Sequence, residues 1–395
     1  MKRRSIRRKP IICRQARYLR GAIFPAQTGC MKRMLLLASL VLPVNTASSQ
    51  SLASPRPVVP WQLLAWMPGE VRCGGTSVAP LALRRPITSI RRGNRYDATD
   101  ALTYRFRIDA NGRTLSIRRE EGGAPWSDDV APSLAASRFE AGAPQADCTI
   151  RYTLRAMSPE EAPVGDLISY SLEPQSGELP PDGWARIQSP QASCLTEPRP
   201  RPLVAVYPDF DKLPGTPGVK HWTMVAYDQD ARGRPIHVRT VEGTGSAALD
   251  RAALRAVRKS RFTGGARAGC LFPFSRAPAP LAAPTPPSED SLRPADSNCP
   301  HSGDWATPPT LTYPNGYPRR AIEGWAVVAF DVAPWGELGN LRVLASEPTA
   351  NFGEQAIHVL RSARKPASAT GRSGCVDRVI FKIGYGGLPL GKDPG

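Results

Sequence analysis

The chain has 395 residues and a formal charge of +18, and eleven of its cations with no acid lie in residues 1–50. Without that stretch the charge is +7, so a nucleic-acid role does not follow from the pI, although attraction to anionic surfaces remains open. A fixed internal period, described below, argues against one 395-residue fold and against a solenoid of short units.

Residues 1–30 hold nine Lys or Arg and read as an extension upstream of a working start at Met31; a basic targeting or nucleic-acid tail is the rival reading. Residues 31–50 have the layout of a secretory signal peptide. Lys32 and Arg33 precede an apolar run, Met34 to Val44, and small residues follow from Asn45 onward. The run is about half of the ~20 residues needed to cross a bilayer, so membrane association is expected only if this segment is retained.

Export makes paired cysteines the expected state. With Cys13 and Cys30 set aside, the other six form three frames of 75 or 76 residues: Cys73 to Cys148, Cys194 to Cys270 and Cys299 to Cys375. Six cysteines allow fifteen connectivities, but the repeat favours pairing inside each frame. Closing a loop this long adds about 4.5 kcal/mol on the chain-entropy model. No Cys-x-x-Cys or neighbouring His pair supports zinc.

Each frame reads strand, turn, strand, helix, strand. In the first, residues 60–156, Tyr104, Phe106 and Ile108 alternate with polar residues, Asp109-Ala110-Asn111-Gly112 is a turn, and Leu115 and Ile117 alternate on the return. Pro132 shortens the helix there. Between the first two frames, Asp166 to Leu172 is expected as a strand and Pro180 to Gly183 as a turn or linker. The second frame, residues 194–275, repeats the hairpin around Asp230 to Gly233. A helix follows from Ala247, with Leu249, Ala253, Leu254 and Val257 on one face, Asp250 near its start and Arg258 and Lys259 near its end. Pro273 places the last strand at an edge or breaks it.

Residues 276–298 contain six prolines and are expected as an extended linker; at ~3.1 Å per residue it would reach roughly 70 Å and let its neighbours move independently. The third frame, residues 299–386, has strands at Trp325 to Val332 and Leu338 to Ala345, a helix carrying Phe352, Ala356, Ile357 and Leu360, and a last strand after Cys375. The expected fold is therefore α+β, with three small modules of β-β-α-β order, each a three-stranded antiparallel sheet packed against one helix.

No catalytic, metal or cofactor set emerges. His221, His237, His301 and His358 share no repeat position and read as structural. No Gly-x-Ser-x-Gly elbow or phosphate loop is present, and a solvated loop accounts for Asp209 and Asp211.

The order of elements, preceded by a Tyr-Pro step, resembles the C-terminal domain of the TonB family of periplasmic energy transducers. Tyr317-Pro318, Ala321, Gly324 and the run Trp325 to Asp331 carry the resemblance in the third frame. In the second it is carried by Tyr207-Pro208, Val241 to Gly245 and the helix to Phe262. The first copy lacks Tyr-Pro and rests on the cysteine frame and the Asp-Ala-x-Gly-Arg turn. The resemblance implies a non-enzymatic periplasmic protein that binds an outer-membrane transporter or other envelope protein by adding a partner strand to a sheet edge. The expected edge is the strand from Val376, with Val376, Arg378, Val379, Phe381 and Lys382 as partner-binding residues. The alternatives are an inner-membrane-anchored transducer, which the short apolar run and three modules do not match, and a structural envelope component.

Overall fold

The computed structural model describes residues 60–93, 100–120, 127–300 and 304–384, so the expected extension and signal segment lie outside the described residues. The fold is α+β. Its first sheet holds β1 (Trp61–Cys73), β2 (Thr76–Ser77), β3 (Ser89–Arg92), the hairpin β4 (Ala101–Ile108) and β5 (Thr114–Arg119), and, after the short helix α1 (Val130–Ala135), β6 (Gln145–Met157). The strand order is β2-β1-β6-β4-β5, with β3 on β1.

Three strands were expected there; the sheet has six because β1 lies antiparallel along the outer side of β6, from Leu63 opposite Met157 to Cys73 opposite Cys148. The apolar run of β1 explains this placement. Leu64 and Trp66 join the main core on one face, while Leu63 and Ala65 join a second core on the other. A strand buried on both faces does not alternate, which removes the usual sequence signal.

The second core also corrects the reading of residues 158–193. Instead of a strand and a turn, they form α2 (Val164–Leu172) and α3 (Pro181–Ile187). Leu167, Ile168 and Tyr170 of α2 and Ile187 of α3 pack against Leu63, Ala65 and Met157. Prolines at the two starts, Pro163 as cap and Pro181 in the first turn, suit positions where the helix needs no donor.

A small two-stranded sheet pairs β7 (Pro202–Val204) with a later strand at Arg261–Phe262. The second frame's sheet is formed by β8 (His221–Gln229), β9 (Pro235–Gly243) and β11 (Arg267–Arg276), with α4 (Ala247–Lys259) and the short β10 (Arg261–Phe262) between the last two. The third contains β12 (Gly324–Val332), β13 (Leu338–Glu347), α5 (Ala350–Arg361) and β14 (Arg372–Phe381). Their orders are β11-β8-β9 and β13-β12-β14, so the strand after the turn and the strand after the helix flank the first. Pro273 leaves β11 unbroken, opposite Met224.

One lock recurs in all three hairpins. The carbonyl of Gly112, Gly233 or Gly336 accepts a hydrogen bond from the amide of Phe139, Phe262 or Lys365, each 2.9 Å long. These glycines have φ of 70°, 75° and 90°, and an added Cβ would collide with the carbonyl oxygen of that same residue. Both constraints favour glycine. Four residues further on, Ser116, His237 and Asn340 share a left-handed backbone, with φ of 52°, 52° and 50°.

The first and third sheets share a core, in which Ile117, Leu134 and Tyr152 meet Phe352, Leu360 and Phe381. The Ile117 amide donates to the Pro348 carbonyl at 3.0 Å. Residues 276–298, expected to tether freely, are pinned along this body. Leu281 exchanges hydrogen bonds with Ala321 and Glu323, at 2.8 and 2.9 Å, and the Trp325 indole donates to the Pro284 carbonyl at 2.7 Å.

Candidate functional site

The three strands that follow the helices, β6, β11 and β14, occupy the same place in their sheets but differ on their outer sides. β6 is covered by β1. β11 carries Pro273, which has no N–H to offer an incoming strand. β14 pairs with β12 alone, and no strand among the described residues lies beyond it.

Each of these strands is also tied to a preceding segment by a disulfide: Cys73–Cys148, Cys194–Cys270 and Cys299–Cys375. In the third sheet the tie ends in a short clip. The Asn298 amide donates to the Ser373 carbonyl at 3.3 Å, Asn298 Oδ1 accepts from the Ser373 amide at 2.7 Å, and Ser297 Oγ donates to the Gly374 carbonyl at 2.8 Å. Ser193 plays the corresponding part on β11, donating its amide to the Ala268 carbonyl and accepting from the Ala268 amide, both at 2.9 Å. Downstream of the clip, the edge from Val376 to Ile380 is unclipped among the described residues. The Arg378 amide there is held only by the side chain of its neighbour, Asp377 Oδ1, at 2.8 Å.

The side chains singled out from the sequence have structural partners. Phe381 is fully buried against Phe352 and Tyr313, at ring separations of 5.2 and 5.5 Å, and Val379 joins the same core. Val376 packs with Trp325, Val327 and Ala329 on the opposite face, beside Ala283 and Leu292. Arg378 reaches Glu289 at 3.8 Å, and Lys382, one residue past β14, reaches Glu323 at 3.6 Å. A charge at Val379 or Phe381 would therefore unfold the core before it tested the edge. Ile380, missed in the sequence, is 41% exposed and belongs to the edge proper. Its signal was the alternation itself, which sets 376, 378 and 380 on one face and 379 and 381 on the other.

Two equivalent carboxylates fix the outer strands. Asp331 Oδ1 accepts from the Gly374 amide at 2.9 Å and Oδ2 from Asn340 Nδ2 at 2.7 Å; Asp228 accepts from the Gly269 amide at 2.8 Å and faces His237 Nδ1 at 2.9 Å. The Asn340 bond, then the Gly374 amide, holds Asp331 below its ordinary value of 3.8. The Gly269 amide, then His237, does the same for Asp228. A depressed carboxylate contributes stability that is complete above the unfolded value and lost as pH falls through the folded one. The denaturation midpoint is therefore expected to fall with acid below about pH 4, with a shallower fall in Asp331→Asn; urea titrations across pH 2–6 check this.

His221 and Asp209, also singled out from the sequence, have structural partners. His221 sits between Thr216 Oγ1 at 2.8 Å and Thr244 Oγ1 at 3.1 Å, with burial holding its pKa down. Asp209 pairs with Lys212 at 2.8 Å. Among the described residues no group of His, Cys, Asp and Glu could hold a metal ion, and no helix is long and apolar enough to cross a membrane, which says nothing of a β-barrel.

Comparison with known proteins places a name on one part of this architecture. Protein TonB of Klebsiella pneumoniae is 32% identical over 120 residues, covering 26% of this chain and 49% of the relative, so the chain spans about half the length of the curated relative it matches. Residues 309–383, which contain β12, β13, α5 and β14, match the family model of the Gram-negative bacterial TonB protein C-terminal.

Proposed function

We propose that this is a non-enzymatic, TonB-like envelope protein, exported to the periplasm, that binds a segment of an outer-membrane transport protein by strand addition to β14. The observation that carries the reading is β1: the chain already adds a strand of its own to the equivalent side of β6. The edge from Val376 to Ile380 offers the same backbone groups, and main-chain pairing supplies affinity while alternate side chains supply selectivity. The first two frames are divergent copies of the same module, one with its edge filled and one with its edge interrupted.

The test keeps the core intact. Arg378→Pro removes an edge donor, and Ile380→Asp adds a buried charge to any strand laid across it. Both variants, checked by circular dichroism, should recover at least about tenfold less partner from envelope extracts, the loss expected of one to two missing charged or backbone hydrogen bonds. Equal recovery by folded variants would rule out β14 as the acceptor. A second reading is an inner-membrane-anchored transducer, the alternative that the resemblance to the TonB family implies. The mass of the protein isolated from cells separates the two, since loss of the first ~50 residues excludes an N-terminal anchor.

A further inference from the structure

The second frame, whose last strand carries Pro273, presents a surface of another kind. Arg251, Arg255, Arg258 and Lys259 all lie on the side of α4 turned away from Leu249, Ala253, Ala256 and Val257, and all four are exposed. Among the described residues none of them has a carboxylate within 4.0 Å, whereas Arg199 and Lys212 hold Glu197 and Asp209 at 3.0 and 2.8 Å. The helix dipole accounts for Arg258 and Lys259, which stand in the last turn, but not for Arg251 and Arg255. Nor does the fold demand them. In α5, Phe352, Ala356 and Leu360 fill the core positions of Leu249, Ala253 and Val257, and Glu354 and His358 stand where α4 has Arg251 and Arg255.

Beside this stripe the chain leaves apolar side chains in water. β7 runs antiparallel to β10 directly after α4: Val204 lies opposite Arg261, the Val206 amide donates to Ser260 Oγ at 3.1 Å, and the Thr263 amide donates to the Arg201 carbonyl at 2.8 Å. Phe262 points into the core, so Arg261 and Val204 face outward together. Arg261 Nη1 donates to the carbonyls of Arg258 at 3.2 Å and Ser260 at 2.6 Å, which sets its charge over the end of the helix. Leu203 and Val204 are 68% and 50% exposed, and Tyr207, 60% exposed, follows them. Cations bordering exposed apolar side chains suit the interface of a negatively charged bilayer, where phosphates meet the charges and the acyl boundary receives the rest.

We infer that this face of the second frame docks on an anionic phospholipid bilayer, with the α4 cations on headgroup phosphates and Leu203, Val204 and Tyr207 entering the interface. The face is separate from β14 and does not rest on the strand-addition reading.

Sedimentation of the full chain with vesicles of phosphatidylcholine, alone or mixed with phosphatidylglycerol, tests it. The mixed vesicles should bind the chain more tightly, and added salt should weaken that binding. Replacing three cations, as Arg255→Gln with Arg258→Gln and Lys259→Gln, should cost about a hundredfold in affinity for the mixed vesicles, at about fivefold per charge. Leu203→Ser should cost less. In the unaltered chain the mixed vesicles should also slow acetylation of Lys259 by acetic anhydride, a readout of this face whichever other segment touches lipid. No preference for the anionic vesicles, an unchanged preference in the triple variant folded by circular dichroism, or a Lys259 that reacts equally fast with vesicles present would each overturn the proposal. Retention on polyglutamate without sedimentation would overturn it in favour of an acidic protein partner.

Discussion

Asp129→Ala is expected to lower the unfolding free energy by about 3–5 kcal/mol, the cost of leaving a buried guanidinium without its partner. Asp129 stands at the start of α1, and both of its oxygens are used. Oδ1 accepts from Arg320 Nε at 2.7 Å, and Oδ2 accepts from Arg320 Nη2 and, at 2.6 Å, from the Ile87 amide. Arg320 closes the short 3-10 turn Pro318–Arg320 that follows Tyr317. It also donates to the Arg85 carbonyl at 2.9 Å. The pair therefore fastens the start of the third sheet's chain to the first sheet, in a region where both side chains are largely buried. Replacing both residues, as in Asp129→Leu with Arg320→Met, should cost much less than Asp129→Ala alone, because no orphaned charge remains. Urea denaturation of the three proteins checks the order; a double variant no more stable than the single one would mean that the surrounding hydrogen bonds, rather than the charge, set the cost.

That fastening also shows where sequence reasoning reached and where it stopped. The hairpin turns were legible because Asp109 and Asp230 cap their own turns and Gly112, Gly233 and Gly336 need left-handed backbone, all of which are local demands. The cysteine frames were legible because a repeat restricts pairing. Arg320 was not, since nothing near it in the chain announces a partner 191 residues away. The surroundings of the expected partner-binding side chains were hidden for a related reason. Alternation identified β14 as a strand, but only the position of α5 and of residues 283–292 shows that both faces are covered, leaving the outer backbone edge without a strand among the described residues and Ile380 exposed. The freely moving linker was inferred from proline content, which speaks to stiffness and not to whether Leu281 and Pro284 find a surface.

The disulfides give the second large effect, and their consequences should differ from sheet to sheet. Removing Cys299–Cys375 with serine at both positions should cost about 2–5 kcal/mol, and the loss of Cys73–Cys148 a similar amount, because both close loops of nearly equal length. What each loss releases is set by the contacts that remain. β1 still buries Leu63, Leu64, Trp66 and Val71, worth roughly 6–12 kcal/mol at the usual value per side chain, so it should stay on β6 without its bridge. The clip at Ser297 and Asn298 has only a few hydrogen bonds, each worth about 1 kcal/mol, and no buried apolar side chain of its own. Without Cys299–Cys375 it should detach and lengthen the open side of β14 by the residues it now covers. Hydrogen exchange is expected to show faster exchange at Asn298 and Ser373 in the Cys299→Ser/Cys375→Ser protein, and no selective loss of protection along β1 in the Cys73→Ser/Cys148→Ser protein. Selective loss along β1 would mean that the bridge, and not burial, holds that strand in place. The outer side of β6 would then be a second candidate acceptor, beside the one proposed at β14, under reducing conditions.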